Sequence, residues 1–413
     1  MSIPTIIPLA AAMAIALAAN NANAQSSSMP TGLGKPLVED VCSACHRTRN
    51  IVRSAGFDER GWRALIATMI DLDDSEELDT IAAYLGEHFP ENNKRAAKLV
   101  KGDKSVIFRE WVVPTLGQRS RDPIEAPDGK ICWAGQWADL IGSINPETSQ
   151  MKEYDLPVDS RPHSVFHDHD GNIWFTGNGN ATMGKFDPET EKFTIFEMPD
   201  PEARDPHTAV VDKAGIVWFT MQHSNRVGRL DPDTGDIRII RLPTSDSRPY
   251  GIKLDANDVP WIACNGSNRL VRLDPENLQI KEFTVPDPKS RIRRLDIAAD
   301  GSIWYVNSSL GRIGRLDPGT GKVTEWPSPS GPKSHPYAIA VVDGIVWYNE
   351  SGVRPDALVR FAPDTQTFQS WPIPSGDIFA GIVRHVDVTH DGNLLIHQSA
   401  TNRIIHITLP PAR

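Results

Sequence analysis

The feature that most constrains this chain is a repeat. Trp174, Trp218, Trp261, Trp304 and Trp347 follow one another at intervals of 44, 43, 43 and 43 residues. Each lies in a short apolar stretch: "NIWFT", "IVWFT", "VPWIA", "SIWYV" and "IVWYN". Cys132 in "KICWAG" and Leu395 in "NLLIHQ" hold the same register, which makes seven copies. A fixed period of this length, centred on β-branched and aromatic residues, marks stacked strand units. A third strand follows each Trp and ends in a turn such as "RVGRLDPDTG" or "RIGRLDPGTG". There Pro presets φ and Asp can bond its own backbone. A fourth strand then carries an aromatic or aliphatic residue three places before Pro, at Tyr154, Phe196, Ile240, Phe283, Trp326 and Trp371.

One more fourth strand, with Trp111 and Pro114, precedes the first complete unit, and the last unit stops after its third strand. Pairing these ends closes a ring and removes exposed sheet edges. The sequence therefore predicts an all-β seven-bladed propeller over 107–410, closed by its N-terminal strand. An open solenoid would need capping units at both ends, and the permuted ends argue against it. The repeated Trp is then a wedge between packed sheets, and Cys132 replaces one of them. Cys264 falls on a blade not adjacent to that of Cys132, so no disulfide is expected between them.

The residues before the repeat read differently. Residues 6–19 are apolar, too short to span a bilayer comfortably, and Ala22-Asn23-Ala24 supplies a small-residue cleavage site. No Lys or Arg precedes the run, and the alternative is a membrane anchor. The expectation is a signal peptide over 1–24, a mature start at Gln25 and a periplasmic protein. The net charge of −10 argues against nucleic-acid binding by bulk charge.

Cys42-Ser43-Ala44-Cys45-His46 is C-x-x-C-H, the attachment signature of c-type haem. Two thiols would form thioethers to the haem vinyls, and His46 would ligate the iron. A thioredoxin-like redox pair would want a βαβ context, and a zinc site a second Cys/His pair nearby; neither is present. Helical spacing follows over 36–41, 58–72 and 75–89. Met69 is the candidate second axial ligand, with core filler as the alternative and His88 as a competing ligand. With its W…M helix and "AAYL", the segment resembles small class I cytochromes c. That resemblance implies a small all-α domain over 30–101 carrying covalent haem c, followed by a polar, basic linker over 91–105.

Two positions vary around the ring while the scaffold repeats. Arg121, His163, His207, Tyr250, Arg293, Tyr337 and Arg384 stand ten or eleven residues before the Trp position. Gly135, Gly177, Met221, Cys264, Asn307, Glu350 and Gln398 stand three after it. The contrast points to a site facing one cavity, and the first set suits a small anionic or carbonyl-bearing ligand. "RPHSV…DGNIWFT", "DPHTAV…GIVWFT" and "NRVGRLDPDTG" resemble the streptogramin lyase (virginiamycin B lyase-like) propellers. That resemblance implies a His base, a Glu-Pro-His segment and a downstream Glu acting with Mg²⁺ in a ring-opening elimination. The matching positions here are His163 and His207 as catalytic candidates, Asp205 as a possible Mg²⁺ ligand, and Met221 in place of the second Glu. A thioether is a poor Mg²⁺ ligand. The preferred expectation is a periplasmic haem c electron-transfer protein, working with a redox partner, whose propeller binds a ligand or substrate. The alternatives are a carbon–oxygen lyase using His207, or a pure binding module.

Overall fold

The computed structural model describes residues 29–44, 48–52, 54, 56–70, 72, 75–92, 95–377 and 383–411. Seven four-stranded antiparallel sheets form a β-propeller. Blades 1 to 6 occupy 120–155, 162–197, 206–241, 249–284, 292–327 and 336–372, each with its strands in sequential order and the first against the axis. In blade 7 the order from axis to rim is Val386–Val388, Leu394–Gln398, Arg403–Thr408 and Ile107–Val112. The strand Ile107–Val112 runs antiparallel to Arg403–Thr408, with Ile107 opposite Thr408 and Val112 opposite Arg403.

The repeated letters each have a physical task. Second strands are buried along their whole length, as in Val217–Met221, because neighbouring blades cover both faces. Outer strands alternate between half-buried and exposed residues. The indole N–H of Trp174, Trp218 and Trp261 donates to Asp168, Asp212 and Asp255 at 2.9, 2.9 and 3.2 Å. The other oxygen of Asp212 accepts from the backbone N–H of Ala214 and Ile216, so one carboxylate closes the hairpin and holds the wedge. In the Asp-Pro turns, Asp187, Asp231, Asp274 and Asp317 accept from the backbone two and three residues on. Gly142, Gly184, Gly228 and Gly314 lie opposite Trp133, Phe175, Phe219 and Tyr305, whose rings cover them. A Cβ there would come within 2.0–2.2 Å of those rings.

Cys132 occupies the register of the blade Trp, opposite Ile124 as Trp174 lies opposite Phe166. The smaller side chain leaves a cleft of about 920 Å³ between blades 1 and 2, lined by Cys132, Tyr154 and His167. Cys132 and Cys264 are both buried free thiols.

Ahead of the propeller stand α1 (Lys35–Val41), α2 (Arg49–Val52), α3 (Glu59–Ile66) and α4 (Ser75–His88). Val38, Trp62, Ile66, Ile81 and Leu85 form their core. The Asp58 carboxylate caps α3 by accepting from Gly61 N–H at 2.7 Å. The periodicity over 58–72 overstates this helix, which ends at Ile66. The Thr68 hydroxyl donates to Leu65 C=O and competes with the helical ladder. The turn that follows docks on the propeller, where Asn402 Nδ2 donates to Thr68 C=O at 3.0 Å.

The stretch expected to be a linker is instead strapped to the rim of blade 6. Ala97 N–H donates to Arg354 C=O, Lys98 N–H to Ser330 Oγ, and Val100 and Ser370 exchange hydrogen bonds. Its polar residues read as linker because they bond a strand edge without burying apolar surface.

Valine at Gly228 must displace the Phe219 ring from the blade interior. We expect Gly228→Val to lower stability by about 1–3 kcal/mol, read as a shift of the denaturant midpoint.

Candidate active site at the channel mouth

The innermost strands begin at one face of the ring. In blades 2, 3, 4 and 6 the residue before the first strand, Arg161, Asp205, Arg248 or His335, adopts left-handed backbone just ahead of Pro. Inside each first strand of blades 1 to 6 the register slips, between Arg121 and Ile124, Pro162 and Val165, and so on to Pro336 and Ile339. This β-bulge turns two consecutive residues toward the axis where alternation would allow one. The sequence analysis identified the first of the two. The second ring, which it missed, contains Asp122, Ser164, Thr208, Arg294 and His385. The signal for it is variability one place further along, at a position that a regular strand would point away from the axis.

The predicted first ring comes together. The His163 and His207 rings lie 3.5 Å apart between centroids, and His207 lies 4.1 Å from Tyr250. The Tyr250 and Tyr337 hydroxyls are 2.5 Å apart. Arg293 donates to Tyr337 Oη at 3.1 Å and stands over its ring at 4.4 Å. Arg121 donates to Gln136 at 2.9 Å, and Arg384 to Ser399 at 3.0 Å. In the layer beneath, Arg294 donates to Thr208 at 3.2 Å, to Arg384 C=O at 3.1 Å and to Asp122 at 3.4 Å. Below this opens a cavity of about 240 Å³ lined by Ser164, Thr208, Arg294 and His385. Arg119, also missed, stacks on Trp137 at 4.6 Å at the rim.

The electrostatics are those of buried positive charge. Burial first, then Arg121, His207 and Arg294, hold the His163 pKa well below the usual histidine value. Burial, then Arg294 and Arg121, do the same to His207. Burial pushes Asp122 up, but His385, Arg294 and Arg121 outweigh it and keep the carboxylate ionised. Both histidines are therefore neutral bases at physiological pH. Arg121 Nε and Nη2 and Arg293 Nε are buried donors without a hydrogen bond, as is His163 Nδ1, whose role follows its tautomer; Arg121 Nε stands 3.8 Å from the Asp122 carboxylate, an ion pair too long for a hydrogen bond.

The second predicted set does not face the cavity. In blades 1 to 6 those residues pair with the start of the first strand, as Met221 does with Pro206, while Gln398 donates to Asp356. Glu350 accepts from Ser328 Oγ and Ser330 N–H, and Asn307 accepts from Arg291 N–H. Variation there follows the loop each residue must hold. Asp205 is likewise a brace, accepting from His223 N–H at 2.7 Å, Ser224 N–H at 3.2 Å and Ser224 Oγ at 2.9 Å. Among the described residues no three His, Cys, Asp or Glu side chains are placed to share a metal. The mouth, lined by guanidinium groups, does not fit Mg²⁺.

Cys45 and His46 lie outside the described residues, as does the segment 1–24. Cys42 and Met69 pack against the same helical core. Met69 also lines a cleft of about 900 Å³ with Gly117, Trp137 and Arg161, on the face of the ring where the mouth opens. His88 packs against the Tyr84 ring at 4.6 Å.

Neutral histidines and arginines thus converge on the axis of a seven-bladed propeller. The model of the virginiamycin B lyase family matches residues 92–273 and 240–411, and the chain belongs to that family. Selenomethionine-substituted virginiamycin B lyase from Staphylococcus aureus is 25% identical, with a TM-score of 0.67 over 74% of this chain and 100% of that one. A streptogramin B lyase structure is 24% identical, with a TM-score of 0.66 over 74% of this chain and 98% of that one. A catalytically inactive histidine-to-alanine variant of the Staphylococcus aureus enzyme, solved with quinupristin, is 25% identical at a TM-score of 0.66, over 74% of this chain and 100% of that one. No curated protein matches the sequence.

Burial holds His335 and His385 down to about 3, and holds His163, His207 and His397 well below their ordinary value. Below about pH 6.5 the unfolded chain gains protons that the folded one refuses. Stability is thus complete above that pH and falls toward pH 5, by up to about 1.4 kcal/mol per pH unit for each histidine. Thermal melts from about pH 7 to 5 should show this slope, and His397→Gln should flatten it.

Proposed function

We propose that the channel mouth binds a carbonyl-bearing small molecule and opens a carbon–oxygen bond in it by elimination. The observation that carries this reading is the set of buried donors without acceptors on Arg121, Arg293 and His163, all converging on one mouth. Such groups are costly to leave unpaired, and a carbonyl or carboxylate oxygen satisfies them. His207 is the base. In the tautomer that serves, its Nδ1–H donates to the Thr208 hydroxyl oxygen at 2.9 Å and Nε2 is left to take a proton from the substrate, while burial with Arg294 and Arg121 keeps the ring neutral. It takes a proton from the carbon next to the carbonyl. The C–H pair becomes the new double bond, and the β C–O bond breaks to release a carboxylate. Arg121 and Arg294 stabilise the negative charge that the family's Mg²⁺ would otherwise meet.

A depsipeptide lactone such as quinupristin is the first probe. We expect ring opening, read by mass spectrometry, to persist in EDTA and to fall about 10²–10⁴-fold in His207→Ala. Absence of any elimination product with folded protein would overturn the lyase reading in favour of a binding module.

A second reading concerns the helical segment. The C-x-x-C-H motif and the shared packing of Cys42 and Met69 support it. Cys42 and Cys45 would hold haem c, His46 and Met69 would ligate its iron, and the group would supply one-electron chemistry toward a periplasmic redox partner. The Thr68–Asn402 hydrogen bond fixes the Met69 turn on the mouth face. Expressed with c-type haem maturation, the protein should carry acid-resistant covalent haem. Met69→Ala should remove the sulfur-to-iron absorption band. Protein that stays colourless after maturation would defeat this reading.

A further inference from the structure

The mouth contains a second proton-carrying group that the lyase resemblance does not supply. We propose that Tyr250 and Tyr337 share a single proton, that the pair carries one negative charge in the resting protein, and that it receives the substrate proton from His207.

The geometry comes first. The two hydroxyls meet at 2.5 Å in a buried site, and Arg293 donates to Tyr337 Oη at 3.1 Å. The guanidinium of Arg293 lies 4.4 Å from the Tyr337 ring centre and 5.4 Å from that of Tyr250. Arg294 approaches Tyr250 from the layer below at 5.3 Å. The groups facing the pair from the surrounding blades are Arg119, Arg121, His163, His207, Arg293, Arg294, His335 and Arg384. The histidines are neutral and the arginines are not. Asp122, the carboxylate in the layer beneath, is already engaged by Arg294. A cluster of guanidinium groups packed this closely needs an anion, and the phenol pair is placed to provide it. The electrostatics agree. Burial alone would raise Tyr337, but Arg293, Arg384, the Tyr250 hydrogen bond and Arg121 bring it well below the ordinary 10.0. Burial and Tyr337 itself push Tyr250 up, so the remaining proton is held between the two hydroxyls.

For turnover the inference rests on the elimination reading; for the resting charge it does not. A protonated His207 beside Arg294 and Arg121 is disfavoured, so the proton it accepts needs a destination. Tyr250 lies against it at 4.1 Å. Transfer to the pair yields two neutral phenols, while the broken C–O bond leaves one carboxylate. One anion disappears from the pocket as another appears in it, and the arginines face the same net charge before and after.

The test reads the phenolate directly. Ultraviolet difference spectra of the full chain are recorded from about pH 6 to 9 against protein unfolded at the same pH. We expect about one phenolate per molecule by pH 9, absent in Tyr337→Phe and shifted to higher pH in Tyr250→Phe. His207→Ala should keep the phenolate while elimination is lost. Tyr337→Phe should slow elimination of the lactone about 10²-fold and change the acid limb of its pH profile. A native protein whose tyrosines ionise only near 10 would overturn the proposal. A phenolate present without any elimination would uphold the pair and remove the lyase reading alone.

Discussion

The mouth depends on one extra residue in the innermost strand of blades 1 to 6. A regular strand would show the axis one side chain per register position and bury the next between blades. The bulge shows it two. Six of seven blades slip in this way, so the axis is lined by two stacked rings rather than one. The upper ring carries His163, His207, Tyr250, Arg293, Tyr337 and Arg121. The lower carries Asp122, Thr208 and Arg294, and Arg294 ties blades 1, 3, 5 and 7 together through its bonds to Asp122, Thr208 and Arg384. The lower ring adds Arg294 to the charges that, after burial, hold His163 and His207 neutral.

The scaffold was legible in the sequence because it is written seven times. The Trp period counted the blades, and the Asp-Pro turns marked the return from third to fourth strand. The glycine of "RVGRLDP" sits opposite an aromatic ring for a reason that pairwise register makes plain. The site was half legible. Variation against a constant background located the upper ring, but the same logic misled for the residues after Trp, where Glu350 and Asn307 vary because each supports a different loop. Asp205, a carboxylate beside a catalytic candidate, suggested a metal from sequence; in the structure it accepts from the backbone of His223 and Ser224. Arg294 and Asp122 were invisible because alternation assigns them to the wrong side, and only the bulge reverses that.

The family's chemistry and this mouth differ in their source of positive charge. A divalent cation needs carboxylates to hold it and therefore brings little net charge to a pocket. Arginines bring their charge outright and cannot discard it. A pocket built on them must keep an anion at all times, from the protein or from the ligand. The tyrosine pair and the proposed carboxylate product fill that requirement in turn.

A ring of wedges is only as uniform as its wedges. In blades 2, 3 and 4 a tryptophan pinned by an aspartate fills the joint. Between blades 1 and 2 a thiol stands in its place, and a cleft of about 920 Å³ remains. The difference of one side chain is expressed as volume: the gap is lined by Cys132 and Tyr154 of blade 1 and by His167 and Ile173 of blade 2.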